Sequence, residues 1–375
     1  MAPMNVRRTV AVLTITLITS LNCVDDLGQV VIDPPSPSDS AFSIHSPFWS
    51  SDGRYIVFFG NVFGREGYDL YRVDSTGGQA QIMNRDSLAK SWPRLSPDGS
   101  KIAFLAAVVG RLQCCAHVWV MNSDGTNARD LTPFFSKWEQ PRWSPDSRFL
   151  IFSGPVEDSG SINYQIVRSE IATGAIATLT SGNYGNLDAS YTFDGRHIVY
   201  TSGRTQTEYG GKVWKMNADG TGAVPIDTTS TASTYPRPSP TTNEIQFGWG
   251  LGGESDAGTY SVDLGITVFP SEPNSFVRRR PEIYLNLAQW SPAGDLIAFV
   301  LRTTAQTNDL FLIDGNGANM RQITQNMFVY LFSNPWSPDS AHLIFQASDR
   351  QDGSIAFFRY DLVTGSIKKL AITKP

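Results

Sequence analysis

Short runs of alternating polar and apolar residues recur along most of this chain, with the period of two expected of half-buried β-strands. His117-Val118-Trp119-Val120-Met121-Asn122 is one such run. Tyr68–Asp74, Gln165–Ser169, Val213–Asn217, Thr259–Asp263, Asp309–Asp314 and Phe357–Asp361 are predicted to hold the same place in other repeats. Between runs a phrase returns, clearest as Leu95-Ser96-Pro97-Asp98-Gly99, Trp143-Ser144-Pro145-Asp146-Ser147 and Trp336-Ser337-Pro338-Asp339-Ser340. Its other copies begin at Trp49, Tyr191, Pro238 and Trp290. An aromatic always follows at the same offset: Phe58, Phe104, Phe152, Tyr200, Phe247, Phe299 and Phe345. The period is about 47 residues, within the range of repeat architectures.

Ser-Pro-Asp-Gly is turn chemistry, because Pro presets φ, Asp bonds its own backbone and Gly accepts positive φ. In the second repeat Trp92–Ser96 leads into the turn and Lys101–Leu105 leaves it; a third strand follows, then an Asp124-Gly125 turn and a fourth strand at Ala128–Thr132. Four antiparallel strands in a unit of this length predict a blade of a β-propeller. The expected fold is therefore all-β, a propeller of seven four-stranded blades over residues 44–375. Six or eight blades are the alternatives, since the fifth repeat is degraded to Pro238-Ser239-Pro240-Thr241-Thr242. No stretch shows the sustained helical period an α/β domain requires. The repeated aromatics are expected to bury between blades, because a single blade is too thin to own a core.

Composition adds a compartment. The net charge is −5 and no basic stripe marks a nucleic-acid surface. Arg7-Arg8 precede a largely apolar run from Thr9 to Leu21, followed by Asn22-Cys23. That predicts a signal peptide over residues 1–23, too short for a membrane span. Cys23 resembles a bacterial lipoprotein cleavage site, although Ser20 stands where such sites carry Leu. Lipidation there would make the lipid anchor the chain's membrane contact. Residues 24–43 read as a solvated tether containing Asp33-Pro34-Pro35-Ser36-Pro37, with a ring-closing strand possible at 30–32. The expected location is extracytoplasmic, in the periplasm or at the outer membrane or cell surface, as a monomer.

The Ser-Pro-Asp-Gly phrase, with Val118–Gly125 and its close copy Lys212–Gly220, resembles the propeller repeat of the TolB family. The resemblance covers nearly the whole chain after the tether. It implies an extracytoplasmic bacterial propeller that binds proteins or envelope polymers. The N-terminal α/β domain through which TolB contacts Tol partners has no counterpart here, so a Tol-Pal role does not carry over.

In a propeller the inner strand of each blade faces the channel. The residue before the phrase's aromatic is Phe48, Arg94, Arg142, Ser190, Arg237, Gln289 and Pro335 in turn. Arg94, Arg142 and Arg237 could bind an anionic group bidentately at the channel mouth. They could equally pair with Asp98, Asp146 or Asp188 and staple neighbouring blades. Trp138, Glu139, Asp188 and Tyr235 are placed near the same mouth. A long connecting loop is expected over Pro270–Asn286, carrying Arg278-Arg279-Arg280.

The four His are scattered and Cys114-Cys115 are adjacent, so no metal set, cofactor or catalytic residue is assigned. The leading expectation is a non-catalytic envelope propeller that binds a protein partner or a glycan through its aromatic and Arg-bearing face. The alternative is a carbohydrate-active enzyme, lyase or glycoside hydrolase, with Glu139 and Asp188 as the carboxylates nearest the mouth.

Overall fold

The computed structural model describes residues 42–375 except 63–67, 86–87, 109–115, 133–139, 159–160, 208–209, 227–231, 243, 255–259, 269–275, 281–287, 305–306, 332–334 and 349–352. The leader, Cys23, residues 24–41 of the expected tether, the segment 30–32 within them and Cys114-Cys115 lie outside the described residues, while Phe42 and Ser43 open the first strand. Every regular element is a β-strand. The strands pair as seven four-stranded sheets and one two-stranded pair. The architecture is an all-β propeller.

Each four-stranded sheet is an antiparallel meander in chain order. The first runs Phe42–Trp49, Tyr55–Val62, Asp69–Asp74 and Gln81–Asn84. The second runs Leu88–Leu95, Lys101–Val108, His117–Asn122 and Arg129–Asp130. The innermost strands of the other five are Arg142–Trp143, Asn186–Tyr191, Ala232–Pro238, Gln289–Trp290 and Val329–Tyr330. In the fifth sheet the third strand extends to Tyr260–Val268, and Phe276–Arg280 pairs with it as the fourth. This corrects the expectation of a loop through Arg278–Arg280. Three successive charges look like a loop tip in sequence, but strand four lies at the sheet's outer edge, where charged residues are at home.

The turn between the first two strands is built as its chemistry predicts. Ser96 Oγ donates to Asp98 Oδ1 at 2.6 Å and accepts from Lys101 N, while Ser100 N donates to the same carboxylate oxygen. Ser50/Asp52, Ser144/Asp146, Thr192/Asp194 and Ser337/Asp339 repeat the arrangement. Where the sixth repeat has Ala293 instead of Asp, Ser291 turns to Asp295 at 2.7 Å. Ser147 and Ser340 replace the usual Gly with φ of 62° and 59°, and their hydroxyls accept the backbone N–H of Asp98 and Ala293 in the preceding sheets. These bonds link the turns of the second and third sheets and of the sixth and seventh.

All seven repeated aromatics are buried, none more than 3% exposed. Apolar clusters cross the seams between sheets. Phe48, Phe59 and Leu70 of the first pack on Ile102, Phe104 and Met121 of the second. Trp49, Phe58 and Tyr71 pack on Ile344 and Phe357 of the seventh. Each fully buried large side chain contributes roughly 1.5–3 kcal/mol, so the seams hold the ring together.

The phrase's Trp adds a polar staple. Trp143, Trp290 and Trp336 each donate their indole N–H, at 3.0 Å, to the carbonyl of Arg94, Arg237 and Gln289 in the preceding sheet. Farther out, Ile372–Thr373 runs parallel to Gly78–Gln79, which lie between the third and fourth strands of the first sheet, with Gly78 N donating to Ala371 O and Ala80 N to Thr373 O. Among the described residues, this pair ties the last part of the chain to the first sheet.

Candidate channel-mouth site

The inner strands carry a recurring irregularity a few residues before the Ser-Pro-Asp turns. Pairing with the second strand shifts between His45 and Phe48, Ser91 and Arg94, Leu187 and Ser190, and Thr234 and Arg237. Inside each shift one residue takes a left-handed backbone: Ser46, Trp92, Asp188 and Tyr235, with φ of 54°, 52°, 57° and 55°. Bulky residues such as Trp and Tyr rarely adopt this conformation. A bulge bends and twists its strand and re-aims the side chains that follow. Here those are the residues two places on: Phe48, Arg94, Ser190 and Arg237. Asp188 and Tyr235 therefore shape the strand that presents the site.

Arg94 and Arg237 are half-buried and Arg142 is buried. Arg94 Nη2 donates to Gln140 Oε1 of the third sheet's leading segment at 2.7 Å. Arg237 Nη1 donates to Pro236 O at 3.0 Å. Burial first, and then the positive charge of Arg237, pull Arg94 down to about 9. It keeps its charge at neutral pH. Arg94 belongs to the second sheet and Arg237 to the fifth.

The backbone carbonyls of Arg94 and Arg237 take the Trp staples. The carboxylates of Asp98 and Asp146 serve their own turns, just beyond the inner strands. Asp188 stands to Arg142 as Gln140 stands to Arg94, one sheet on and two residues ahead of that sheet's repeat position. Tyr235 N donates to Thr201 Oγ1 of the fourth sheet at 3.2 Å. Trp138 and Glu139 lie outside the described residues.

Several functional neighbours escaped the sequence reading. Gln140 is one. Gln246, 1% exposed, is the cross-strand partner of Arg237. The third strands carry further polar hubs. Gln165 donates to the carbonyls of Gly182 and Tyr184 and accepts from Thr180 and Asn186, tying the third sheet to the start of the fourth. Asp309 accepts from Thr303, Thr324 and the backbone N–H of Asn326 and Met327. The repeat of Leu-Thr after the fourth strand, at Leu131-Thr132 and Leu179-Thr180, was the available signal. These Thr hydroxyls accept Val118 N and Ile166 N.

Among the described residues, no group of three or more His, Cys, Asp or Glu gathers that could hold a metal.

Residues 37–263 match the family described as the TolB beta propeller domain. An uncharacterised protein of Agrobacterium fabrum is 27% identical over 272 residues, covering 68% of this chain and 83% of that protein. A Tol-Pal system protein TolB of Francisella tularensis is 28% identical over 197 residues, covering 52% of this chain and 43% of that protein. Among solved structures, an oligogalacturonate lyase of Vibrio parahaemolyticus superposes with a TM-score of 0.63 at 12% identity, covering 86% of this chain and 92% of that one. That likeness is one of fold.

Proposed function

The chain belongs to the TolB β-propeller domain family, and from that premise we propose that it is a non-catalytic, seven-bladed propeller of the bacterial cell envelope that binds a protein partner at its channel mouth. The observation that carries this reading is the recurrence of Arg94 and Arg237 at one repeat position of the inner strands, each two residues after a left-handed bulge. Guanidinium groups match an anionic partner in charge and shape. Asp188 and Tyr235 hold the strands that frame the mouth. The Francisella relative is named as a Tol-Pal system protein, which supports a protein rather than a glycan as the partner class. Under this reading residues 1–23 are the export signal, Cys23 carries the lipid, and residues 24–43 let a monomeric propeller reach its partner from the membrane.

The test is site-specific crosslinking in cells. A photo-crosslinking residue at position 188, at the mouth, is expected to give one discrete adduct with an envelope protein. The same residue at position 219, exposed in the turn between the third and fourth strands of the same sheet, is expected to give none. Adducts of equal yield from both positions, or none from position 188, overturn the reading.

A further inference from the structure

We propose that Ala371–Thr373 is a releasable latch across the seam between the seventh and first sheets, seated in space that Gly77 leaves open and able to peel away while the ring stays folded.

The seventh and first sheets are neighbours in the ring but not in the chain. The inner part of their seam is held by the Trp49–Pro335 staple and by Phe58, Tyr71, Ile344 and Phe357. The latch spans the outer part. Gly78 N donates to Ala371 O at 2.7 Å and Ala80 N to Thr373 O at 3.0 Å. Ile372 is half-buried and packs on the cluster that contains Ala80 and Leu370.

Ala371 lets the segment leave its own sheet. In the second, third and sixth sheets the matching residues are Thr132, Thr180 and Thr324. Their hydroxyls accept the third-strand N–H groups of Val118, Ile166 and Leu310. Leu370 keeps the backbone half of that arrangement, donating its N–H to Phe357 O at 2.8 Å as Leu131 does to Val118 O. Ala371 then has no hydroxyl with which to pin the chain there. The carbonyls of Ala371 and Thr373 bond the first sheet instead.

The receiving turn is fitted to the latch. Gly77 and Gly78 both have positive φ, 100° and 123°. A Cβ on Gly77 would lie 2.8 Å from Ala371 O, whereas a Cβ on Gly78 would meet nothing within 4 Å. Gly77 thus keeps the latch's space, beyond what its backbone angle requires. Arg359 of the seventh sheet donates to Ser75 O in the same turn at 3.1 Å, which holds the glycines in line when the latch is off.

The grip is slight. Ala371 and Thr373 are exposed, and the backbone bonds to them are backed by a single half-buried Ile. Such a segment opens locally at lower cost than a seam of fully buried aromatics. The latch therefore gives before the inner seam does.

The experiment is amide hydrogen exchange of the full chain, read at Gly78 and Ala80 against Phe104, which is fully buried in the second sheet. In the wild type the two latch amides should exchange about a hundredfold or more faster than Phe104. Ile372→Ala should speed both about tenfold and leave Phe104 unchanged. Gly77→Ala should speed Ala80 about tenfold or more. Gly78→Ala carries comparable backbone strain without the contact to Ala371, and should speed Ala80 less. Wild-type latch amides as slow as Phe104 would mean that the segment opens only with the whole ring, and overturn the proposal. So would an unchanged rate in Ile372→Ala, or equal effects of Gly77→Ala and Gly78→Ala. Should the glycine variants fail to fold, the wild-type ratio and Ile372→Ala decide.

Discussion

Trp49 donates its indole N–H to the carbonyl oxygen of Pro335 at 3.0 Å, joining residues 286 positions apart in the chain. Trp49 ends the inner strand of the first sheet, and Pro335 holds the repeat position of the seventh. The bond is the same staple that Trp143, Trp290 and Trp336 make to the sheet before each of them. The seam that closes the ring is thus built like the seams within it.

Trp49→Phe should therefore separate the polar staple from the packing. The Pro335 carbonyl still accepts Ile344 N at 2.7 Å, so no orphan acceptor is left. The expected cost is about 1 kcal/mol for the lost bond, against about 3–5 kcal/mol for Trp49→Ala, which also empties the seam. Urea denaturation of the two variants checks this, and equal losses would show that the indole N–H contributes nothing.

Phe104→Ala should cost about 3–5 kcal/mol. Phe104 is fully buried, lies against Phe59 of the first sheet with ring centroids 6.3 Å apart, and stacks on Trp119 of its own. Val363, 88% exposed, supplies the control: Val363→Ala should change stability by less than about 0.5 kcal/mol. A thermal melt that leaves Phe104→Ala at the wild-type midpoint refutes inter-blade burial as the source of stability.

Asp309→Asn tests the polar hubs. Burial alone would raise this carboxyl, but its donors outweigh burial and hold it below the ordinary range. An amide brings one acceptor oxygen where the carboxylate brings two, and its NH2 faces donors. The expected loss is about 3 kcal/mol. Retained stability would mean that Thr303, Thr324, Asn326 and Met327 find other acceptors.

Acid should act in two separate windows. Burial among Phe59 and Tyr68 depresses His45 to about 4. A depressed folded-state pKa means that the unfolded chain binds the proton first, so this contribution is complete above about pH 6.5 and is lost as pH falls towards 4. The turn carboxylates Asp52 and Asp339 are also depressed, chiefly by the hydroxyls of Ser50 and Ser337. Their stabilisation is present above the unfolded carboxyl pKa of about 4 and is lost as pH falls below it. His45→Phe should flatten the upper window and leave the lower one; Asp339→Asn should do the reverse. Melting temperatures measured from pH 7 to pH 3 would reveal a shared window, if there is one.

The sequence by itself determined the β-class, the turns and the buried aromatics, because each depends on local rules. Ser96, Asp98 and Ser100 close their turn within five residues, and Phe104 recurs at a spacing that places it on the packed side of every blade. Arg278–Arg280 misled, because a charged outer-edge strand and a loop tip have the same local composition. The tertiary structure alone decided what depends on closing the ring. Gln140 meets Arg94 only because the second and third sheets are brought side by side. Trp92 and Tyr235 carry no sequence mark of a left-handed backbone, since the bulge that imposes it comes from register against the next strand. Local chemistry repeats with the chain's period, whereas the site arises from contacts between repeats, which a linear period does not record.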